Sequence, residues 1–264
     1  MKSRARSFFL VGLLPLYAPA YVAALVRFPP FVVRFLWAVA LKASLWLCRL
    51  RPKALGRPTS EMGASGRPCV VLANHTSFLD SAVVGAALPL SVDVRLKAPF
   101  SGHLLRVPLL GRKLAGCDFP ALAFKGDSFE LEPGAADVVK ASLVRHARLG
   151  GACFWFPEGT MNRRDPSKLA RFRAGGFVVP ARVDCEIWLV CLKGCDEIWP
   201  PDGTLAGNVW SPKLLVERFC ESSAAFIRAE PRCGSEREAC LHLAEATSAA
   251  LQKGLQRLAG ETVA

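Results

Sequence analysis

Acidic side chains are in short supply: 22 Asp and Glu stand against 34 Lys and Arg, which leaves a formal charge of +12 at pH 7. The deficit points to anionic partners, among them nucleic acid, a phospholipid surface and a phosphorylated substrate. Tyrosine is scarcer still, with two residues. Most of the other aromatic residues lie inside apolar runs, where stacking on bases is disfavoured, so nucleic acid drops out of the partners expected. Paired Cys-x-x-Cys spacing is missing, although there are ten cysteines. The tightest group, Cys185, Cys191 and Cys195, has no nearby His, so no metal site is expected. A chain of this length does not need a disulfide framework either, and the scattered cysteines read as small buried apolar residues. No internal repeat is present.

What is abundant is apolar surface: 52% of 264 residues, enough for one well-formed core with an appendage. After a basic opening (Lys2, Arg4, Arg6), Phe8 to Val26 form an uncharged run that approaches the roughly 20 residues needed to span a bilayer. Pro15 and Pro19 interrupt it. A secretory signal peptide is the competing reading, because Ala18-Pro19-Ala20 resembles a cleavage site, but the apolar character continues well past that point. Phe31 to Leu50 is again apolar and carries Arg34, Lys42 and Arg49, whose spacing puts them within roughly 80° on a helical wheel. Such a basic stripe suits a helix lying in the headgroup plane of a membrane. Residues 1–50 are therefore expected to form membrane-anchoring helices. Residues 51–68, rich in Pro, Gly, Ser and Arg, read as a linker, and 69–264 as the main domain.

Within that domain, Cys69 to Ala73 is an apolar run fit for a buried strand, followed by a helical segment reaching about Leu88. Strand-like Val92 to Leu96, helical Ala135 to Arg148, strand-like Ala152 to Phe156 and strand-like Ile187 to Leu192 continue the alternation, which indicates an α/β domain. At the C-terminal end, Cys240, Leu243, Ala244, Leu251, Leu255 and Leu258 share one helical face with Thr247 as its polar member. Glu236 and Glu238 open this helix while Lys253 and Arg257 close it, in keeping with the helix dipole.

Chemistry concentrates in Asn74-His75-Thr76-Ser77-Phe78-Leu79-Asp80, at a strand end entering a helix, where ligands bind in α/β sheets. The bland reading makes Asn74 or Thr76 a helix cap and His75 a satisfied, partly buried side chain. The functional reading makes His75 a base: imidazole titrates near neutrality, and a carboxylate on its other nitrogen fixes the tautomer. Ser77 lies close by but lacks a Gly-x-Ser-x-Gly elbow, so it is the weaker candidate for a nucleophile. His103, His146 and His242 have no partner pattern and read as structural. Further on, Arg163, Arg164, Lys168, Arg171 and Arg173 crowd together with Asp165 as the single acid, a pattern that a phosphate would satisfy.

These residues resemble the lysophosphatidic acid acyltransferases and related glycerolipid acyltransferases. Asn74, His75 and Asp80 match the family's Asn-His-x-x-x-x-Asp, and Phe156-Pro157-Glu158-Gly159-Thr160 matches its Phe-Pro-Glu-Gly-Thr. Phe172-Arg173-Ala174-Gly175 resembles Phe-Lys-x-Gly, and Lys97 with Leu104, Pro108, Leu109, Leu110 and Gly111 resembles the second block. Four ordered matches over residues 69 to 192 are more specific than any one. The resemblance implies an αβ domain with a central, mostly parallel sheet, preceded by a membrane-associated helical hairpin. It implies His75 as general base and Asp80 as its orienting partner, with Glu158, Gly159 and Thr160 shaping the acceptor site. Arg163, Arg164, Arg173, Lys97 and Lys125 are the basic residues expected to hold substrate. The second block departs from the family where an Arg would follow an apolar strand, and Lys125 or Arg112 stands in. The fourth block lacks proline, reading Cys185-Glu186-Ile187-Trp188-Leu189-Val190. By the same resemblance, acyl-CoA and a lysophospholipid, foremost lysophosphatidic acid, are the expected substrates, with glycerol 3-phosphate or another lysophospholipid as the alternative acceptor and a catalytically silent lipid-binding module as the alternative outside enzymes. No cofactor is expected, and the expected location is the endoplasmic reticulum or another intracellular membrane.

Overall fold

Short apolar strands and amphipathic helices alternate along the chain, and helices cover both faces of a six-stranded sheet. The computed structural model describes residues 14–47, 53–107, 110–128, 130–201 and 212–260. The basic opening, the first part of the Phe8–Val26 run, Arg49, Pro108 and Leu109 lie outside the described residues, as does the side chain of Arg112. The strands are β1 (Lys53–Gly56), β2 (Cys69–Ala73), β3 (Leu96–Lys97), β4 (Phe100–Ser101), β5 (Ala121–Leu122), β6 (Ala152–Trp155), β7 (Glu186–Lys193) and β8 (Lys213–Cys220). The main sheet runs β1-β8-β7-β2-β6-β3, parallel throughout except between β7 and β8, and β4 pairs with β5 apart from it. The helices are α1 (Ala18–Leu25), α2 (Pro30–Leu47), α3 (Asp80–Ala87), α4 (Leu90–Asp93), α5 (Leu110–Gly116), α6 (Ala135–Arg148), α7 (Val178–Arg182), α8 (Cys195–Ile198), α9 (Ser223–Arg228) and α10 (Glu236–Gly260).

β2 shows why its sequence is continuously apolar. All five of its residues are buried, because a central parallel strand is covered on both faces. Val70 and Leu72 join Val139 and Leu143 of α6 and Leu243 and Leu251 of α10, while Val71 and Ala73 join Val83 and Val84 of α3. Successive side chains thus feed opposite layers, as the two-residue period of a strand requires. The predicted face of α10 is buried along its length, and Thr247 satisfies its hydroxyl on the Leu243 carbonyl at 2.6 Å.

Two sequence expectations need correction. Residues 51–68 are not a simple linker: β1 pairs with β8, and the buried Glu186 carboxylate accepts from the Gly63 amide and, at 3.0 Å, from the Ser65 hydroxyl. Val92–Leu96 is not a strand, because Pro89 starts the short helix α4 and only Leu96–Lys97 reach the sheet. Two members of the basic stripe, Arg34 and Lys42, bond to the protein's own backbone. Arg34 donates to the Val94 and Cys117 carbonyls, and the Lys42 ammonium lies 2.9, 2.9 and 2.6 Å from the carbonyls of Gly85, Ala86 and Leu88 and 3.2 Å from Asp93. The outward surface of the hairpin is apolar, with Val22, Leu25, Phe28, Phe31, Phe35, Val39 and Trp46 all exposed. Among the described residues, Pro30–Leu47 is the helix long and apolar enough to cross a membrane.

Burial pushes the Asp93 carboxyl up to about 6, although Lys42 pulls in the other direction. A carboxyl that binds its proton more tightly when folded contributes most stability below its unfolded value and loses it as pH rises through the folded one. Stability should therefore fall on going from pH 5 to pH 8, by on the order of 1–1.5 kcal/mol from this group. Urea unfolding of Asp93→Asn should show that slope reduced and a higher midpoint than the parent at pH 8. An unchanged slope would reject the assignment.

Candidate active site

At the C-terminal end of β2 the chain turns sharply, and its side chains hold the turn. Asn74 does not cap a helix. Its amide pairs with the backbone of Leu192 on β7, donating to the carbonyl at 3.0 Å and accepting from the N–H at 2.7 Å. Asp80, the first residue of α3, reaches back over the turn with its Oδ2, which accepts from the Thr76 amide at 2.6 Å and the Ser77 amide at 2.7 Å. The same oxygen lies 3.0 Å from His75 Nδ1. The five-residue spacing therefore has a geometric meaning: a strand–turn–helix corner returns the carboxylate onto the ring two steps past the strand end.

Asp80 is fully buried and His75 is 18% exposed, so the pair has one dry end and one open end. An ionised carboxylate only accepts, so it takes the Nδ1 proton and, in the neutral imidazole, leaves the Nε2 lone pair free. Two fixed amides hold Oδ2 independently of the ring, which confines the carboxylate and through it the imidazole. The other face of the ring is set by Phe156, whose ring stacks on it with centroids 3.9 Å apart and planes 9° from parallel. Sequence reasoning placed Phe156 in a motif but missed this contact. The thiol of Cys195, at the start of α8, is pushed well above its ordinary value, mainly by burial and secondarily by the Asp80 charge beside it, so it is chemically inert.

Glu158 braces the same corner from the next strand end. Its buried carboxylate accepts from the His75 amide at 2.8 Å through Oε1 and from the Ala170 amide at 2.7 Å through Oε2. Both oxygens bond to backbone amides, so this residue ties the turn at His75 to the loop at Ala170. Burial holds its carboxyl above the ordinary carboxylate range, against the two amides that draw it down. Gly159 follows with φ +74°, and a Cβ there would come within 2.7 Å of the Arg173 Nε, so the turn needs glycine. The arginine side chain is thereby laid along the Gly159 turn.

The basic loop after Thr160 is tied to the same corner. The Asn162 amide donates to the His75 carbonyl at 2.7 Å, and the Asn162 side chain donates to the carbonyls of Asp165 at 2.9 Å and Lys168 at 2.7 Å. The Arg173 amide donates to the Pro157 carbonyl at 2.9 Å. Lys168 pairs with Asp165, whereas Arg163, Arg164, Arg171 and Arg173 are exposed and form no ion pair with the described residues. The loop thus presents guanidinium groups without carboxylate partners beside His75.

Two other predicted residues are occupied elsewhere. Lys97 is buried on β3 and pairs with Asp118 at 2.7 Å, and exposed Lys125 pairs with Glu130. The remaining histidines have local partners: His146 Nε2 on the Arg95 carbonyl at 2.6 Å, His103 Nε2 on the Ser128 carbonyl at 2.9 Å, and His242 stacked on Phe226.

A His–Asp pair at a strand–helix corner of a mostly parallel sheet, tied through a glutamate to an arginine-rich loop, can draw a proton from a hydroxyl and attract an anion beside it. Residues 57–193, just over half of the chain, match the family described as Acyltransferase, and the chain belongs to that family. It is 25% identical over 162 residues to the chloroplastic 1-acyl-sn-glycerol-3-phosphate acyltransferase BAT2 of Brassica napus, covering 61% of this chain and 43% of that protein. The chloroplastic enzyme LPAT1 of Arabidopsis thaliana, a 1-acyl-sn-glycerol-3-phosphate acyltransferase, is 23% identical over 162 residues, covering 61% of this chain and 42% of that one. The chain thus matches about two-fifths of the length of these curated relatives. In three dimensions it superposes on the crystal structure of the 1-acyl-sn-glycerophosphate (LPA) acyltransferase PlsC from Thermotoga maritima with a TM-score of 0.70. The identity is 13%, and the match covers 100% of this chain and 98% of that one. The expected αβ domain with its mostly parallel sheet is therefore the fold of this protein.

Proposed function

We propose that this protein transfers a fatty acyl group from acyl-CoA to the free hydroxyl of a lysophospholipid, with lysophosphatidic acid as the acceptor and phosphatidic acid as the product. The observation that carries this reading is His75 Nδ1 at 3.0 Å from an Asp80 carboxylate pinned by two amides. On this reading His75 Nε2 takes the acceptor hydroxyl proton while the oxygen attacks the thioester carbonyl. The tetrahedral oxyanion collapses, the C–S bond breaks, and the departing thiolate of coenzyme A takes the proton back from the imidazolium. Ser77 takes no covalent part, since its hydroxyl donates to the Trp199 carbonyl at 2.5 Å and accepts from the Leu79 amide at 3.0 Å. The oxyanion needs donors. The amides of His75, Thr76, Ser77 and Gly159 are already engaged, while that of Thr160 donates to no acceptor among the described residues, which makes it the best candidate.

Arg163, Arg164 and Arg173 hold the acceptor phosphate in this scheme, because a guanidinium binds phosphate through two parallel hydrogen bonds. The apolar outer face of α1 and α2 sits in the bilayer, where lysolipid and product both reside. No metal or prosthetic group enters these steps. A panel of acceptors offered with one acyl-CoA tests the assignment: lysophosphatidic acid should be acylated in preference to glycerol 3-phosphate and to lysolipids with capped phosphates. Preference for glycerol 3-phosphate would replace the acceptor. Arg163→Ala combined with Arg164→Ala should raise the acceptor KM by roughly 10- to 100-fold, the worth of one or two charge-assisted hydrogen bonds. An unchanged KM would remove these residues from the phosphate site.

A further inference from the structure

The hairpin and the catalytic corner meet at opposite ends of one short helix. Asp80 begins α3, and the residues that close the helix are gripped by Lys42 of α2. The last carbonyls of any helix have no partner within it and carry the negative end of its dipole, so an ammonium there is favoured. Here three of them, from Gly85, Ala86 and Leu88, surround Nζ, and the Asp93 carboxylate completes the cage at 3.2 Å. Leu41, next to Lys42, lies over Gly85, where a Cβ would come within 3.1 Å of its Cδ2. The side of α2 that carries Lys42 also carries Phe31, Phe35, Val39 and Trp46, at helical spacings of 11, 7, 3 and 4 residues from it, and these are exposed and available to lipid while the ammonium reaches back to α3.

We propose that Lys42 is a positioning residue that makes acyl transfer responsive to a lipid surface: seating α2 in a bilayer fixes its ammonium on the end of α3, and α3 fixes Asp80 against His75. This inference rests on the acyltransferase reading given above and adds a form of regulation to it. The lever is short. α3 spans eight residues, about 12 Å at 1.5 Å per residue, so displacement at its last turn reaches Asp80 without an intervening joint. A misplacement of about 1 Å at the reacting groups costs on the order of 100-fold in rate.

The test uses the full chain, an acyl-CoA and a short-chain lysophosphatidic acid that stays monomeric in water, with and without empty vesicles of phosphatidylcholine and phosphatidylglycerol. Vesicles should raise kcat of the parent protein about tenfold or more while its acceptor KM changes little. Lys42→Met should bind vesicles as the parent does in flotation yet lose that stimulation, and Lys42→Arg should restore part of it. Equal stimulation of Lys42→Met overturns the proposal and leaves the acyltransferase reading intact, whereas a parent protein that turns over no acceptor in either condition overturns both. If Lys42→Met does not fold, amide hydrogen exchange in the parent decides. Vesicles should slow exchange at the Leu88 amide, bonded to the Val84 carbonyl at 3.0 Å, and unchanged exchange there rejects the coupling.

Discussion

Replacing His75 by alanine should lower kcat by roughly 10²- to 10⁴-fold, the usual contribution of a general base, with little change in acceptor affinity. The loss belongs to the chemical step because the ring is held by groups that remain after its removal: Oδ2 of Asp80 keeps its amides from Thr76 and Ser77, and Glu158 bonds the backbone of residue 75, which alanine retains. The fold should survive, since His75 is partly exposed and belongs to neither helix-covered core. Asp80→Asn is the more informative partner variant. The carbonyl oxygen of asparagine can take the place of Oδ2, but it carries no charge to stabilise the imidazolium, and its NH2 is buried where Oδ1 has no hydrogen-bond partner. Asp80→Asn should lose activity at least as severely as His75→Ala, and the double variant should be little worse than either single one, because residues that act as a unit are not additive. Acyl transfer by purified His75→Ala at a rate comparable to the parent would sink the catalytic assignment. Single-turnover kinetics with radiolabelled acyl-CoA measure the step directly.

The second large effect is expected at Glu158. Glutamine offers one oxygen and one NH2, so it can accept from only one of the His75 and Ala170 amides and must present a donor to the other. Leaving a buried N–H facing a donor costs about 1–3 kcal/mol, enough to release either the catalytic turn or the arginine loop. Glu158→Gln should therefore lower kcat/KM by about 100-fold, consistent with a small misplacement of the reacting groups, and split the loss between kcat and the acceptor KM. A ligand-binding glutamate would behave differently: its loss would appear in KM while circular dichroism and melting temperature stayed at parent values. Steady-state kinetics alongside a thermal melt separate the two. A variant with altered KM alone would return Glu158 to the acceptor site.

The two motifs were legible in the sequence to different depths. His75 and Asp80 are five residues apart on one strand–helix corner, so local geometry alone brings them together, and a reading of spacing plus strand ends could find them. Glu158 stands 83 residues from His75, and its partners are backbone amides, which every residue possesses and no side-chain pattern announces. The stack of Phe156 on the same ring is hidden for a similar reason: within a Phe-Pro-Glu-Gly-Thr run an aromatic residue reads as strand core. The helical wheel put Arg34 and Lys42 on one side of α2, but did not tell which groups they bond. Basic residues on an apolar helix suit anionic headgroups, and they suit the exposed carbonyls of another helix equally well. Strand β8 escaped notice because Lys213, Glu217 and Arg218 interrupt its apolar residues, and it is identified by its antiparallel pairing with β7.

The strand formed by Lys53–Gly56 bears on how the protein can be handled. It seals the edge of β8, and Gly56 packs so closely on the Val216 carbonyl that a Cβ would come within 2.3 Å. A chain trimmed back to residue 69 to improve solubility would strip away this rim, bare a row of unpaired amides and carbonyls, and invite edge-to-edge aggregation. Removing only the segments before Lys53 keeps the rim, but it also discards Lys42, so a preparation made easier to purify in that way would report the chemistry without its lipid control.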